Sequence, residues 1–157
     1  MTTTNMRIEE IIKSNVTLSD SKKIILNVMY THNVIGDKFS EILKPHDLSS
    51  EQYNVLRILR GQKGLPANMC VIQERMITKN SNTTRLIDKL LLKDLVTREV
   101  CPDNRRKIEV QITQKGLDLL NYLDPMVVEH ENYFSSNLDP EEVVQLNNLL
   151  EKYRQLK

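Results

Sequence analysis

A chain of 157 residues, 39% of them hydrophobic, is long enough for one compact domain with an extension, and its lack of tryptophan leaves the core to aliphatic side chains. No apolar run approaches a bilayer-spanning length, residues 1–18 are too polar and mixed in charge for a secretory signal, and Cys70 and Cys101 match no zinc spacing, which leaves two reduced thiols in a cytoplasmic protein. The formal net charge of +1 conceals a dipolar chain: residues 75–107 hold nine Lys or Arg against four Asp or Glu, and residues 108–157 hold four against nine.

In chain order, residues 1–18 predict a short helix in MRIEEIIK and a linker. From Asp20 to Leu43, Ile24, Ile25, Val28, Ile35, Phe39, Ile42 and Leu43 recur at helical spacing, and Pro45 ends the run. Ser49 with Gln52 three residues on opens a capping box. The helix behind it has Val55, Leu56 and Leu59 as its buried stripe and closes at Gly61 and Gly64. Residues 67–76 predict a shorter helix with Met69, Ile72 and Met76 inward. After the polar connection TKNS, a helix to about Asp94 turns Leu86, Leu90 and Leu91 inward and puts Asn82, Arg85 and Lys89 on the opposite face.

VTREVC and KIEVQIT predict a hairpin. Ile108, Val110 and Ile112 alternate with polar residues, so one face meets the core, and a one-residue slip would expose all three. Residues 114–134 predict a helix kinked near Pro125. Asp139-Pro140-Glu141-Glu142 starts a last helix with Leu146, Leu149, Leu150, Tyr153 and Leu156 as its stripe. The whole is mainly α with a small β-hairpin (α+β). Its middle, two short helices joined by a tight turn and followed by a basic hairpin, is a winged helix-turn-helix reader over residues 46–113. Residues 1–18 extend it at the front, and helical regions over 19–45 and 114–157 flank it.

The middle carries the chemistry. A recognition helix presents its N-terminal residues to base edges in the major groove, and here Ser81, Asn82, Thr83 and Thr84 precede Arg85. Arginine reaches guanine or phosphate, asparagine matches adenine, and a helix N-terminus favours phosphate. Capping explains one such polar residue, whereas four in a row point to nucleic acid. Arg105 and Arg106 at the hairpin tip suit the negative potential of a narrow minor groove, with Lys107 on a phosphate; a solvated turn is the plainer reading of the same charges. The candidate DNA-binding residues are therefore Ser81, Asn82, Thr84, Arg85, Lys89, Arg105, Arg106 and Lys107. An enzyme finds no motif: the glycines are scattered, GxSxG and HExxH are missing, and His32, His46 and His130 lack ligand spacing. No catalytic residue, metal or cofactor is assigned. A winged helix used for protein contacts alone remains the alternative, and only duplex binding would depend steeply on salt.

The segments LSSEQYNVLRILR, SNTTRLIDKLLLKDLVTREV and DNRRKIEVQITQKG resemble the MarR family of bacterial winged helix-turn-helix transcription regulators, a likeness covering roughly residues 20–157. The family's wing signature runs Asp-x-Arg, five residues, Leu-Thr. Here Arg106 stands at the arginine, Asn104 at the aspartate with Asp103 one place early, and Ile112-Thr113 at the end. The resemblance implies that Arg98 pairs with Asp103 to steady the wing. It also implies a homodimer of N- and C-terminal helices that represses by occupying a pseudo-palindromic operator, associated with the nucleoid when bound. A small aromatic or phenolic acid between the dimer helices and the reader, near Tyr30, His32 and Tyr53, would release the DNA.

The sequence allows the dimer independently, because the first long helix and the last are more apolar than a small reader needs, and MRIEEIIK is a candidate to embrace the partner. A two-fold dimer sets two recognition helices on successive major grooves. Some relatives sense oxidants through a cysteine near the start of the first long helix, and none lies there. Cys70 reads as a small core residue, and Cys101, beside the wing's cations, as a candidate reactive thiol.

Overall fold

The computed structural model describes residues 6–101 and 104–155, and the side chains of all of these except 101 and 104–107. The elements are α1 (Ile8–Ile11), α2 (Asp20–Leu43), a 3-10 turn (Lys44–His46), α3 (Ser50–Arg60), β1 (Ala67–Asn68), α4 (Met69–Arg75), α5 (Thr83–Leu91), β2 (Val96–Cys101), β3 (Asn104–Ile112), α6 (Gln114–Ser135) and α7 (Pro140–Tyr153). The chain divides into two compact units, residues 1–38 and 39–157.

In the first unit, Ile8 and Leu18 are buried. Glu9 pairs with Lys23 at 2.7 Å, which ties α1 to α2 of its own chain. None of the α2 residues of this unit, 20–38, is buried; Leu43, the one buried residue of α2, lies in the second unit.

The second unit is organised on α3. Its capping box forms as the sequence predicts: Ser49 Oγ accepts from the Gln52 N–H at 3.2 Å, and Gln52 Oε1 accepts from the Ser49 N–H at 2.9 Å. With both ends of the first turn satisfied, α3 buries Tyr53, Val55, Leu56, Ile58 and Leu59 and packs against α4, α5, α6 and β3. Gly61 closes it in ordinary right-handed geometry, and Gly64 takes the left-handed turn at φ +86°.

Residues 67 and 68, expected within a helix, form instead the short strand β1, paired antiparallel with β3 through Ala67 opposite Val110. Asn68 is the reason. Its side chain accepts from the Val71 N–H at 3.0 Å, and an N-cap requires extended backbone, here φ −76° and ψ 163°. The helix therefore starts at Met69, and the residues ahead of it are left to the sheet, whose strand order is β1-β3-β2. Ile72 and Met76 are buried as predicted, while Met69 is only partly so.

The hairpin keeps the predicted alternation. Val96, Arg98 and Val100 lie opposite Ile112, Val110 and Ile108. Burial fades toward the turn, however: Val110 is wholly buried, Ile112 is partly covered, and Ile108 is 41% exposed. The far end of the hairpin has left the core and projects as a wing.

α6 runs unbroken through Pro125. Its start is tied to the reader by Thr113, whose hydroxyl accepts from the Gly116 N–H at 3.1 Å and donates to the Asp94 carbonyl at 2.7 Å. A Cβ on Gly116 would lie 2.4 Å from the Leu95 carbonyl oxygen and 2.7 Å from Ile112 Cγ1, so only glycine permits this approach. Further along, Arg60 on α3 makes a two-pronged bond to Asp124 on α6, at 2.7 and 2.9 Å. The Asp139 side chain caps α7 as predicted, accepting from the Glu141 and Glu142 N–H groups, with Pro140 in the first turn.

Two outcomes follow. Gly116→Ala must push apart α6 and the Leu95 backbone, at an expected cost of about 1–3 kcal/mol in a urea melt. The Asp124 carboxyl is held below its ordinary pKa, first by the hydrogen bond from Arg60 and then by nearby guanidinium charge. A depressed folded-state value contributes stability above the unfolded-state pKa and loses it as pH falls through the folded-state value. Asp124→Asn should therefore be less stable than the wild type near neutrality, and the difference should shrink on acidification below roughly pH 4.

Candidate nucleic-acid interface

α5 is amphipathic. Ile87 and Leu90 are wholly buried and Thr83 nearly so, while Leu86 and Leu91 are partly covered at the edges. Of the expected inward residues Leu86, Leu90 and Leu91, Leu90 lies on the inward line with Ile87, and Leu86 and Leu91 flank it. The outward face presents Thr84, Arg85, Asp88, Lys89 and Leu92.

The four polar residues before Arg85 divide their duties. Asn82 is the N-cap, its Oδ1 accepting from the Arg85 N–H at 3.1 Å. Thr83 is buried and its hydroxyl donates to Gln73 Oε1 on α4. Ser81 Oγ is shielded from solvent without a hydrogen-bond partner among the described residues. Thr84 alone is both outward-facing and uncommitted to a cap. A two-pronged contact to adenine needs the amide oxygen that Asn82 already gives to the helix.

The turn between α4 and α5 is stitched from both sides. The Ile77 N–H donates to Asn54 Oδ1 on α3 at 3.0 Å, and Gln73 Nε2 donates to the Lys79 carbonyl. These bonds satisfy backbone groups that would otherwise be lost where no regular ladder runs. They also hold the start of α5 in place. Arg75, Lys79, Arg85 and Lys89 are exposed around it. Arg75 and Lys79 were visible in the sequence only as part of the basic count.

The expected partner of Arg98, Asp103, lies outside the described residues. The Arg98 Nη1 donates to Asp88 Oδ1 at 2.6 Å, bracing the wing's first strand against α5. The wing is further tied by Gln111, whose Nε2 donates to the Gly64 carbonyl at 2.7 Å. The register shifts between Val100, opposite Ile108, and Cys101, opposite Asn104. The backbone of Arg105, Arg106 and Lys107 therefore belongs to the start of β3 at this irregularity. The side chains of these three residues, and that of Cys101, lie outside the described set. Cys70, expected in the core, is exposed on α4.

Of the residues near the expected effector region, Tyr53 is buried, and burial pushes its phenol upward in pKa. It meets Phe39 edge-on at 5.1 Å between ring centres, and Phe39 lies 5.3 Å from His130, itself 5.2 Å from Phe134. Tyr30 and His32 are exposed on α2.

Residues 48–108 match the model of the MarR family. The regulator MhqR of Bacillus subtilis is 27% identical over 132 residues, spanning 84% of this chain and 90% of MhqR. A MarR transcription factor from Planctomyces limnophilus superposes with a TM-score of 0.67 at 32% identity, over 87% of this chain and 98% of the other. BpsR of Bordetella bronchiseptica, whose DNA binding is regulated by 6-hydroxynicotinic acid, shares the fold at a TM-score of 0.78 and 20% identity, over 90% of this chain and all of its own.

Capping and base reading by Asn82 are separable. Asn82→Ala should lower stability by about 1 kcal/mol, and Asn82→Ser should restore most of it in thermal melts. Equal duplex affinity in Asn82→Ser and wild type would confine Asn82 to the cap.

Proposed function

The chain belongs to the MarR family, and from that premise we propose a DNA-binding repressor that holds a pseudo-palindromic operator as a homodimer. That it is a DNA-binding transcription regulator follows from the family; repression, the operator's symmetry, the dimer and an effector are the proposal. The observation that carries it is the outward face of α5, where Thr84, Arg85 and Lys89 stand opposite the wholly buried Ile87 and Leu90. A helix anchored on one side offers its other side rigidly to a major groove. Arg105, Arg106 and Lys107 add a basic wing for the flanking minor groove and phosphates.

The dimer is supported by the exposed apolar faces of two helices. No residue of α7 is buried, although it carries Val144, Leu146, Leu149, Leu150 and Tyr153. On α2, Ile24, Ile25, Val28, Met29 and Ile35 are likewise exposed. Helices of this length draw their stability from burying such a face, and a second copy supplies the same surface by two-fold symmetry. Bound across a promoter, the pair blocks polymerase. A small aromatic or phenolic acid, by analogy with the regulation of BpsR, would act beside the Tyr53–Phe39–His130 rings and weaken the hold on DNA. The protein would then work in the cytoplasm, on the nucleoid when bound.

Selection from random duplexes should enrich an inverted repeat whose half-sites are centred about one helical turn apart, or a multiple of it. Arg85→Ala should weaken binding and relax preference at one position, whereas Lys89→Ala should weaken all sequences alike and lower the salt slope by about one. Sedimentation should give a dimer. A monomer, or indifference to inverted repeats, would sink the reading.

A further inference from the structure

One residue on the outward face of α5 has the wrong sign for a polyanion. Asp88 lies one helical turn beyond Thr84 and one residue before Lys89, among the side chains assigned to the duplex. Its Oδ1 is held by Arg98 at 2.6 Å, with the two side chains 50% and 38% exposed. An ion pair that exposed adds little to folding stability, so the fold alone gives weak reason for it. Arg98, moreover, comes from a rigid base: it sits opposite the wholly buried Val110, next but one to the buried Val96.

We propose that Arg98 is a positioning residue for DNA recognition, which cancels and orients the Asp88 carboxylate so that it serves as a check on sequence. This rests on α5 being the recognition helix. Paired with Arg98, Asp88 no longer repels the correct duplex, and its second oxygen can accept from a cytosine amino group. On a wrong duplex, which offers that second oxygen no donor, it is left unsatisfied beside the phosphates and disfavours the complex. Attraction to the right partner and rejection of the wrong one then come from a single residue.

The test compares wild type, Arg98→Gln, Arg98→Lys, Asp88→Asn and the double variant Arg98→Gln/Asp88→Asn. Fluorescence anisotropy measures binding to the selected operator and to a scrambled duplex of equal length, with thermal melts as a check on folding. One charge among the phosphate contacts changes affinity about tenfold near 0.1 M salt. Arg98→Gln should therefore lose about tenfold on the operator. Arg98→Lys should keep most of the affinity, and the double variant should regain most of what Arg98→Gln lost. Asp88→Asn should bind the scrambled duplex more tightly than wild type, narrowing the discrimination. A double variant no better than Arg98→Gln would mean that Arg98 meets phosphate on its own account, and the proposal would fail. It would fail equally if Asp88→Asn lost operator affinity as far as Arg98→Gln, the mark of a plain structural bridge. A wild type that retains neither duplex would overturn the DNA-binding reading itself, a result distinct from either of these.

Discussion

A helix of nine residues does not hold its shape in water, because nucleation costs more than so few hydrogen bonds return. α5 exists because Ile87 and Leu90 are wholly buried in the same core as Val55, Leu56, Ile72 and Val110. Complete burial of such a side chain is worth about 1.5–3 kcal/mol, enough to fix the helix without help from its outer face. Thr84, Arg85, Asp88 and Lys89 are thereby released from any structural duty toward the core. The chemistry offered to a duplex can be chosen freely only because the opposite side is not negotiable.

Around that anchor, polar side chains near the reader do two jobs, and position decides which. Asn54, Gln73, Asn82 and Thr83 satisfy backbone or side-chain groups of the helix-turn-helix itself. Each bond crosses a place where regular hydrogen-bond ladders stop, so each is the alternative to an unpaired amide or carbonyl. The result is a turn with little freedom, which is what a site needs if its contacts are to be geometrically exact. The ion pair from Arg98 to Asp88 extends the same bracing to the wing.

The helical ends obey a different balance. α3 buries both flanks and starts from a complete capping box. α7 has an equally complete box at its start and yet buries nothing. Caps set where a helix begins but contribute about 1 kcal/mol, too little to stabilise fourteen residues whose apolar side faces water. α2 shows the same imbalance over twenty-four residues, with Leu43 alone buried. Such faces gain the burial they lack only when a second surface covers them.

The amino-acid sequence by itself determined the features that depend on residues within about a turn of one another. The capping box at Ser49, the cap at Asp139, the alternation of Ile108, Val110 and Ile112, the order of helices around the hairpin and the basic middle were all legible there. Tertiary structure alone decided the rest. Residues 67–68, already held extended by the Asn68 cap, joined the sheet because β3 passes beside them; Ile87 joined Leu90 on the inward line because the core lies on that side of α5; and Cys70 was left outside. Arg98 met Asp88, ten residues away on another element, and Asn54 reached the Ile77 amide across twenty-three. Spacing encodes local geometry because backbone hydrogen bonds and helical periodicity act over three or four residues. The partner of a long polar side chain is set instead by which elements the burial of apolar surface brings together, and that is a property of the whole chain.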